Sequence, residues 1–270
     1  MSRLEQLQAL NGVLLTEMPE YRAQGEQFPR EEGAQRRLLR SLMNLRPPMP
    51  LDPNFLAEQD ALLSAETAEK GVVDGDALVP TQADPRIVLW QGDITRLRAD
   101  AIVNAANSAL LGCFHPCHGC IDNAIHSAAG LQLRDECFRL MEAQGYPEPN
   151  GRAKLTGGYN LPARHVLHTV GPIVRGRVTQ RDREELASCY RACLELAAER
   201  GLHSVAFCCI STGEFHFPNR EAAQIAVDTV RECLRQKTSI RRVIFNVFKD
   251  LDAEIYRGLL GPDRGAETGP

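Results

Sequence analysis

The chain has 270 residues, of which 43% are hydrophobic and 24% charged, an ordinary balance for a globular protein. Its formal net charge of −4 at pH 7 excludes the basic excess of a nucleic-acid-binding surface, so we expect no direct nucleic-acid partner. No apolar run approaches the ~18 residues that a membrane span needs, and nine cysteines, an odd count, suit a disulfide framework poorly, so we expect a cytoplasmic protein with no membrane partner.

Residues 1–80 are predicted to form a helical extension. Leucines recur with helical spacing in residues 4–14, and a second apolar face covers residues 38–45. A proline-rich stretch ends that second helix, because proline cannot continue it. Asp52 followed by Pro53 is typical of an N-cap with proline at the first helical position, and it predicts a third helix. No residue of this extension is expected to carry chemistry.

The next part of the chain, residues 86–260, alternates between strand-like and helical patterns after a connector at residues 71–85. Apolar runs typical of buried strands lie at residues 87–90, 101–104, 165–170, 205–210 and 243–248. Helical patterns lie at residues 121–143, 183–200, 219–234 and 252–260, with Asn219 as the expected cap of the third. This alternation predicts an α/β domain with a largely parallel central sheet. Residues 261–270 are expected to form a flexible tail.

The densest chemistry lies in residues 113–120, where three thiols and two imidazoles occupy eight consecutive positions. Such donors suit Zn²⁺. Cys113, His118 and Cys120 are the first candidates, with His115 and Cys117 as alternates. Three protein ligands would leave a position open for water or substrate, as in catalytic sites, whereas a fourth would make the zinc structural. Spacing alone leaves both possibilities open, and small buried cysteines without a metal are the disfavoured third interpretation.

Polar residues follow several of the predicted strands, where parallel sheets bind their ligands. Asn104 and Asn107 could bind sugar hydroxyls or could simply form a turn. Asp122, at the start of the next helix, could orient a water molecule or a ribose hydroxyl, or could interact with the helix dipole. His126, one helical turn later, is interpreted as a buried histidine whose hydrogen bonds are satisfied.

Three further features suit a nucleotide. The loop at residues 211–218 follows a strand and precedes a helix, so its backbone N–H groups could bind a diphosphate, although many such turns contain Ser, Thr and Gly. Asp93 could accept a hydrogen bond from an adenine amino group or could cap a helix. Phe248 could stack on a base or could belong to the core.

Several segments, in this order, resemble the macrodomain family. They are Gly92-Asp93-Ile94, the run from Asp100 to Asn107, Asp122-x-Ala124-Ile125-His126 with Ala129-Gly130, Leu161-Pro162-Ala163, the run from Val166 to Pro172, and Ile210-Ser211-Thr212-Gly213. In place of the glycine run of common hydrolase macrodomains, the chain has Cys113-Phe114-x-Pro116-x-His118-x-Cys120. That pattern, with the preceding helical segment, resembles the zinc-containing class of microbial ADP-ribosyl hydrolases, so the resemblance covers nearly the whole chain.

The resemblance implies a three-layer α/β/α macrodomain at residues 86–260 with a mixed, mostly parallel central sheet, preceded by the helical extension. It also implies an ADP-ribose cleft. In that cleft Asp93 and Ile94 would bind the adenine and Phe248 would border it. The residues that would wrap the diphosphate are Ser211, Thr212, Gly213, Glu214 and Phe215.

The resemblance further implies the residues of the reacting centre. Asn107 and Asp122 would face the distal ribose as the catalytic pair, and Asn104 would support the loop. The zinc ligands would be Cys113, His118 and Cys120.

The function expected from this resemblance is zinc-dependent removal of mono-ADP-ribose from modified proteins, at esters of Asp or Glu side chains, with serine and arginine linkages left open. The partners are then a mono-ADP-ribosylated protein and ADP-ribose as product or ligand. Two alternatives stay open: a module that binds ADP-ribose around a structural zinc without cleaving it, and a deacetylase of O-acetyl-ADP-ribose.

Overall fold

The computed structural model describes residues 2–265, so residues 266–270 of the expected tail lie outside the described residues. Within residues 2–265 no helix is both long and apolar enough to span a bilayer. The α-helices of this range are α1 (Arg3–Glu17), α2 (Arg22–Gly25), α3 (Glu32–Leu45), α4 (Pro53–Lys70), α5 (Ile121–Ala129), α6 (Leu131–Gln144), α7 (Gln180–Glu199), α8 (Asn219–Arg235) and α9 (Asp250–Leu260). The strands are β1 (Val73–Asp74), β2 (Ile87–Gln91), β3 (Leu97–Arg98), β4 (Ala101–Ala105), β5 (Ala153–Gly157), β6 (His165–Thr169), β7 (Ser204–Phe207) and β8 (Arg242–Val247).

Six strands form the central sheet in the order β2-β8-β7-β4-β6-β5, and only the β5–β6 pairing among them is antiparallel. The short strands β1 and β3 form a separate parallel pair. Every residue of β7 is buried, as are most residues of β4, β6 and β8, because helices cover the sheet. Helices α7, α8 and α9 pack side by side, while α5 packs on α6 and β4. The predicted α/β fold with a mixed, mostly parallel sheet is therefore confirmed.

The single helix predicted over residues 121–143 is wrong, because the chain breaks at Gly130 into α5 and α6. Gly130 has a φ of +99°, which strains residues that carry a side chain. A Cβ at this position would lie 2.7 Å from the Gln59 side-chain nitrogen. The backbone N–H of Gly130 still donates to the His126 carbonyl at 3.1 Å and ends α5.

Two other expectations about element ends are also corrected. The fourth predicted strand ends at Phe207 rather than at residue 210, and the last strand ends at Val247, which leaves Phe248 outside it. Asn219 does not cap α8: Pro218 occupies the N-cap position, and the Asn219 side chain donates to Asp252 at 2.7 Å instead.

The N-terminal helices α1, α3 and α4 are present as expected and share a second apolar core. Its members are buried leucines of α1, α3 and α4 together with Met18, Met43, Phe55 and Leu131 of α6. Asp52 caps α4 as predicted, since its carboxylate accepts from the Asn54 N–H at 2.9 Å. Because Leu131 belongs to this core, the helical extension packs against the α/β part of the chain.

Candidate functional site

The loops after β4 and β7 meet beyond the carboxyl ends of the sheet. The first contains residues 113–120 and leads into α5, and the second contains residues 211–218 and leads into α8. The two loops approach each other where His118 Nε2 lies 3.7 Å from Glu214 Oε1. The structure therefore brings the two predicted site loops together.

Asp122 is buried at the start of α5 with only 4% of its surface exposed. Its Oδ1 accepts a hydrogen bond from Asn104 Nδ2 at 2.7 Å, and its Oδ2 lies 3.4 Å from Asn107 Nδ2. Asn107 also forms the turn, because its Nδ2 donates to the Gly112 carbonyl at 3.0 Å and its Oδ1 accepts from the Ala109 N–H at 3.0 Å. The turn interpretation of Asn107 is thus confirmed, and the predicted acid and amides lie together.

Burial raises the pKa of Asp122 to about 6, although the Asn104 hydrogen bond and the charge of Arg134 both lower it. Arg134 is itself buried, and its guanidinium donates to the backbone carbonyls of Met43, Arg46 and Leu111 at 2.6–2.8 Å. Burial also lowers the pKa of Arg134 to about 10. A carboxyl group whose pKa lies near neutrality can both accept and return a proton, which suits general acid–base work.

The prediction that His126 is a buried histidine with satisfied hydrogen bonds is only half right. The ring is buried, but within the described chain neither ring nitrogen has a hydrogen-bond partner. Its Nε2 lies 3.5 Å from Asp122 Oδ1. Burial nevertheless lowers the pKa of His126 well below its usual value, and His168 and Arg134 lower it further. His126 and Asp122 are therefore a neutral imidazole beside a carboxyl group, not an ion pair.

His168, on β6, belongs to the site although the sequence analysis did not select it. The amide Nδ2 of Asn104 lies 3.2 Å from its Nδ1, so Nδ1 accepts and Nε2 carries the proton. Nε2 lies 2.9 Å from the Thr156 hydroxyl, to which it donates. His168 thus orients the side-chain amide of Asn104, which in turn donates a hydrogen bond to Asp122. The signal available in the sequence was a histidine within the apolar run 165–170, and the structure buries it fully.

We predict that His168 contributes to acid lability. Burial lowers its pKa to about 3, so the folded protein keeps the ring neutral while the unfolded chain takes up a proton below about pH 6.5. Stability is therefore present above pH 6.5 and falls as the pH drops toward 3, by about 1.4 kcal/mol per pH unit for one proton. In urea unfolding between pH 4 and 6, His168→Gln should reduce this slope by about one proton; an unchanged slope would contradict the assignment.

The donor atoms of Cys113, His118 and Cys120 lie within 4.8 Å of one another. Cys113 Sγ lies 3.5 Å from His118 Nδ1, which agrees with the separation of about 3.5 Å expected for ligands of tetrahedral zinc. Of the two alternates, Cys117 turns its thiol toward Ser41 Oγ at 3.3 Å. His115 does not belong to the group either. The residues present therefore fit a soft divalent cation.

The pKa of Cys120 is raised to about 11, first by burial and then by the nearby Cys113 thiol and Asp122 carboxyl. A thiol in such surroundings stays protonated at neutral pH unless a cation neutralises the thiolate. His118 turns its second nitrogen, Nε2, toward Glu214. Metal-bound histidines commonly present that nitrogen to a carboxylate, so this arrangement also suits a metal site.

The loop at residues 211–218 is shaped by its first residue. Ser211 has a φ of +64° and a buried hydroxyl with no partner among residues 2–265. The Phe217 N–H donates to the Ser211 carbonyl at 2.9 Å, and the Thr212 hydroxyl donates to the Cys209 carbonyl at 3.1 Å. The backbone N–H groups of Gly213, Glu214 and Phe215 have no acceptor in the described chain. This loop therefore offers free donors to an anion.

The predicted adenine-binding residues lie at the neighbouring edge of the sheet. Asp93 caps the 3-10 helix Ile94–Arg96 and accepts from the N–H and hydroxyl of Thr95 at 3.0 and 2.7 Å, as one of its two interpretations expected. The Gly92 N–H donates to the Val247 carbonyl at 2.9 Å, which places the turns carrying Asp93 and Phe248 side by side. Phe248 is 76% exposed, so its interpretation as a core residue is wrong.

The helical extension, in which no chemistry was expected, contacts one of the two site loops. In α3, Arg40 donates to the backbone carbonyl of His118, and Asn44 accepts from the backbone N–H of Cys117. No local pattern could have shown this, because the partners are 73 and 78 residues apart in the chain.

Comparisons with known proteins give consistent matches. A family model described as the Macro domain matches residues 103–226. A "Protein-ADP-ribose hydrolase" of Treponema medium is 49% identical over 249 residues, covering 92% of this chain and 95% of that protein. A protein of the same name from Staphylococcus aureus is 49% identical over 227 residues, covering 84% and 85%.

Solved structures show the same similarity. The Trypanosoma brucei macrodomain in complex with ADP-ribose aligns with a TM-score of 0.64 and 32% identity over 82% of this chain and 95% of that chain. The Oceanobacillus iheyensis macrodomain with MES bound aligns with a TM-score of 0.58 and 40% identity over 64% and 87%.

Proposed function

The chain belongs to the macrodomain family, and we propose on this basis that it is a hydrolase that removes mono-ADP-ribose from modified proteins. The observation that carries the proposal is the position of Asp122. This buried acid lies two residues after the candidate metal donor Cys120 and between the amides of Asn104 and Asn107. Relatives at 49% identity over most of the chain are named protein-ADP-ribose hydrolases, which supports the same reaction here.

We assign the binding of ADP-ribose to the rim of the sheet. The free N–H groups of residues 213–215 would bind the diphosphate, because backbone donors at a helix entry favour anions. The exposed ring of Phe248 offers a face on which an adenine can stack, and Asp93 and Ile94 lie in the neighbouring turn. This binding, remote from the reacting bond, can be used to position the distal ribose.

At the reacting centre, Asp122 would accept a proton from a ribose hydroxyl or from the attacking water and return it to the leaving group. Its near-neutral pKa suits both directions of transfer. Asn107 would fix the ribose in line for attack. Asn104, held by His168, fixes the carboxyl of Asp122. The class of linkage that we propose is an ester between the anomeric carbon of the distal ribose and an Asp or Glu side chain.

We propose that Cys113, His118 and Cys120 hold a zinc ion. When bound, zinc supplies Lewis-acid polarisation of an oxygen of the substrate or of water. With Cys113, His118 and Cys120 as its only protein ligands, a zinc ion would keep a position open for such an oxygen, as catalytic zinc sites do.

The experiment that tests this function is ADP-ribose release from a carboxylate-modified protein by the wild type and by Cys120→Ala at matched fold stability. We expect release by the wild type, and its loss in the variant while ADP-ribose still binds. Serine- and arginine-linked proteins and O-acetyl-ADP-ribose, assayed in parallel, measure the preference for the linkage. Tight ADP-ribose binding by both proteins without release from any substrate would overturn the hydrolase and favour a binding module.

A further inference from the structure

Helix α3 lies against the donor loop, defined as residues 113–120, and its side chains Arg40, Ser41 and Asn44 reach that loop. We propose that Arg40 and Asn44 are positioning residues, which hold the donor loop in the conformation that binds the metal. The N-terminal helical segment is then a working part of the active site rather than a cover for the sheet. The inference rests on the proposed zinc site.

Arg40 joins the donor loop to α5. Its Nη2 donates to the backbone carbonyl of His118 at 3.2 Å, and its Nη2 and Nε donate to Asn123 Oδ1 at 2.8 and 3.2 Å. Asn123 is fully buried, and its own Nδ2 donates to the His115 carbonyl at 2.9 Å. One guanidinium thus binds the peptide group of a proposed metal ligand directly and a second loop carbonyl through Asn123. Hydrogen bonds from a charged donor are the stronger class.

Asn44 holds the middle of the same loop. Its Oδ1 accepts from the Cys117 N–H at 2.9 Å, and its Nδ2 donates to the Ser127 hydroxyl at 3.1 Å. Ser127 in turn donates to Asn123 Oδ1 at 3.2 Å, so the contacts of Asn44 and Arg40 converge on one buried amide. Asn44 is 1% exposed. These hydrogen bonds leave the side chains of Asn44 and Arg40 little conformational freedom.

Cys117 shows why the loop depends on outside support. Its φ of +52° lies in the left-handed region, which is costly for a residue that carries a Cβ. Within the loop, the turn has the single backbone bond from the His118 N–H to the His115 carbonyl, at 3.2 Å. The bond from Cys117 to Asn44 therefore stabilises a conformation that the loop does not secure alone. That conformation turns the Cys117 thiol toward α3 and leaves the other two thiols beside His118.

The test compares Arg40→Ala with Arg36→Ala in the full chain. Arg36 lies one helical turn earlier on the same face of α3, but its guanidinium pairs with Glu66 inside the helical segment and does not contact the loop. Zinc affinity is measured by competition with a chromophoric chelator. We expect Arg40→Ala to weaken zinc binding by about 10–100-fold, the range seen when groups that orient metal ligands are removed. Arg36→Ala should bind zinc as the wild type does.

Asn44→Ala and Asn11→Ala form a second pair. Asn11 is also a buried asparagine of the helical segment, but it donates to Gln35 and not to the loop. The spectrum of bound Co²⁺ should change with Asn44→Ala and Arg40→Ala and stay unchanged in both controls. Equal effects in the variants and their controls would mean that only general stability is involved, and would overturn the proposal.

A measurement without metal separates this inference from the proposed zinc site. Amide hydrogen exchange of the 113–120 peptide in chelator-treated protein should become about tenfold faster in Arg40→Ala and not in Arg36→Ala. Unchanged exchange and unchanged zinc affinity in the folded Arg40→Ala variant would overturn the positioning role. A wild type that binds no zinc would instead contradict the proposed metal site, and the exchange comparison would then decide the role of Arg40 in ordering the loop.

Discussion

Asp122→Asn is expected to lower kcat for ADP-ribose release by about 10²–10⁴-fold, the usual contribution of a positioned acid–base group. Asparagine has nearly the same shape and keeps an oxygen that can accept from Asn104 Nδ2, so that hydrogen bond should be retained while the longer contact with Asn107 Nδ2 is lost. It cannot take up a proton at neutral pH. Because the proposed sites for the diphosphate and the adenine do not include Asp122, the Kd for ADP-ribose should stay close to that of the wild type.

The matched control for this variant is Asp252→Asn. Asp252 is likewise a buried aspartate in the first turn of a helix, but it accepts from Asn219 in α8 and lies outside the proposed site. The assay is single-turnover release with ADP-ribose affinity measured by calorimetry. A kcat for folded Asp122→Asn within about threefold of the control would remove Asp122 from the chemistry, since a proton-transfer role requires at least about 10²-fold.

The fold was predictable where burial is continuous. Strands β4, β6, β7 and β8 are buried on both faces, so each appears in the sequence as an apolar run. Strand β5 was missed because its sequence, Ala153–Gly157, forms a half-exposed edge that contains a lysine and a glycine. The break between α5 and α6 was missed because the apolar spacing continues across Gly130, and only the backbone angle at that glycine interrupts it.

The loops that form the site could be predicted from the sequence, but the contacts between their side chains and the rest of the chain could not. Parallel strands end at one edge, so polar residues that follow them could be expected to meet, and Asn104, Asn107 and Asp122 do meet. Arg40 contacts His118, 78 residues away, and His168 contacts Asn104, 64 residues away. Local sequence periodicity gives no information about contacts between residues so far apart in the chain. Spacing ranked Cys117 only as an alternate donor, and it is the backbone at Cys117 that turns this thiol away from the other donors.

Removal of zinc is expected to abolish measurable release, with a loss of about 10²–10³-fold or more. Lewis-acid stabilisation of a developing charge contributes several kcal/mol, and each 1.36 kcal/mol corresponds to a factor of ten in rate. The measurement is activity after chelation and after return of one equivalent of zinc, with ADP-ribose affinity and thiol titration alongside. Chelated protein should offer two additional thiols, Cys113 and Cys120, whose exposure is intermediate; Cys120 should react slowly at neutral pH and faster as the pH rises, because its pKa is raised to about 11.

A catalytic zinc and a structural zinc are distinguished by whether the affinity for ADP-ribose falls together with the rate of its release from substrate. Structural sites supply folding energy, so their loss should abolish ADP-ribose binding and cooperative unfolding along with activity. Here the donor loop is also held by α3, through Arg40 and Asn44, and by the fully buried Asn123. The ADP-ribose cleft should therefore keep its shape after the metal is removed. We therefore expect chelated protein to bind ADP-ribose without releasing it from substrate. Full activity in protein shown to be zinc-free would contradict the metal's role, whereas joint loss of binding and rate would make the zinc structural.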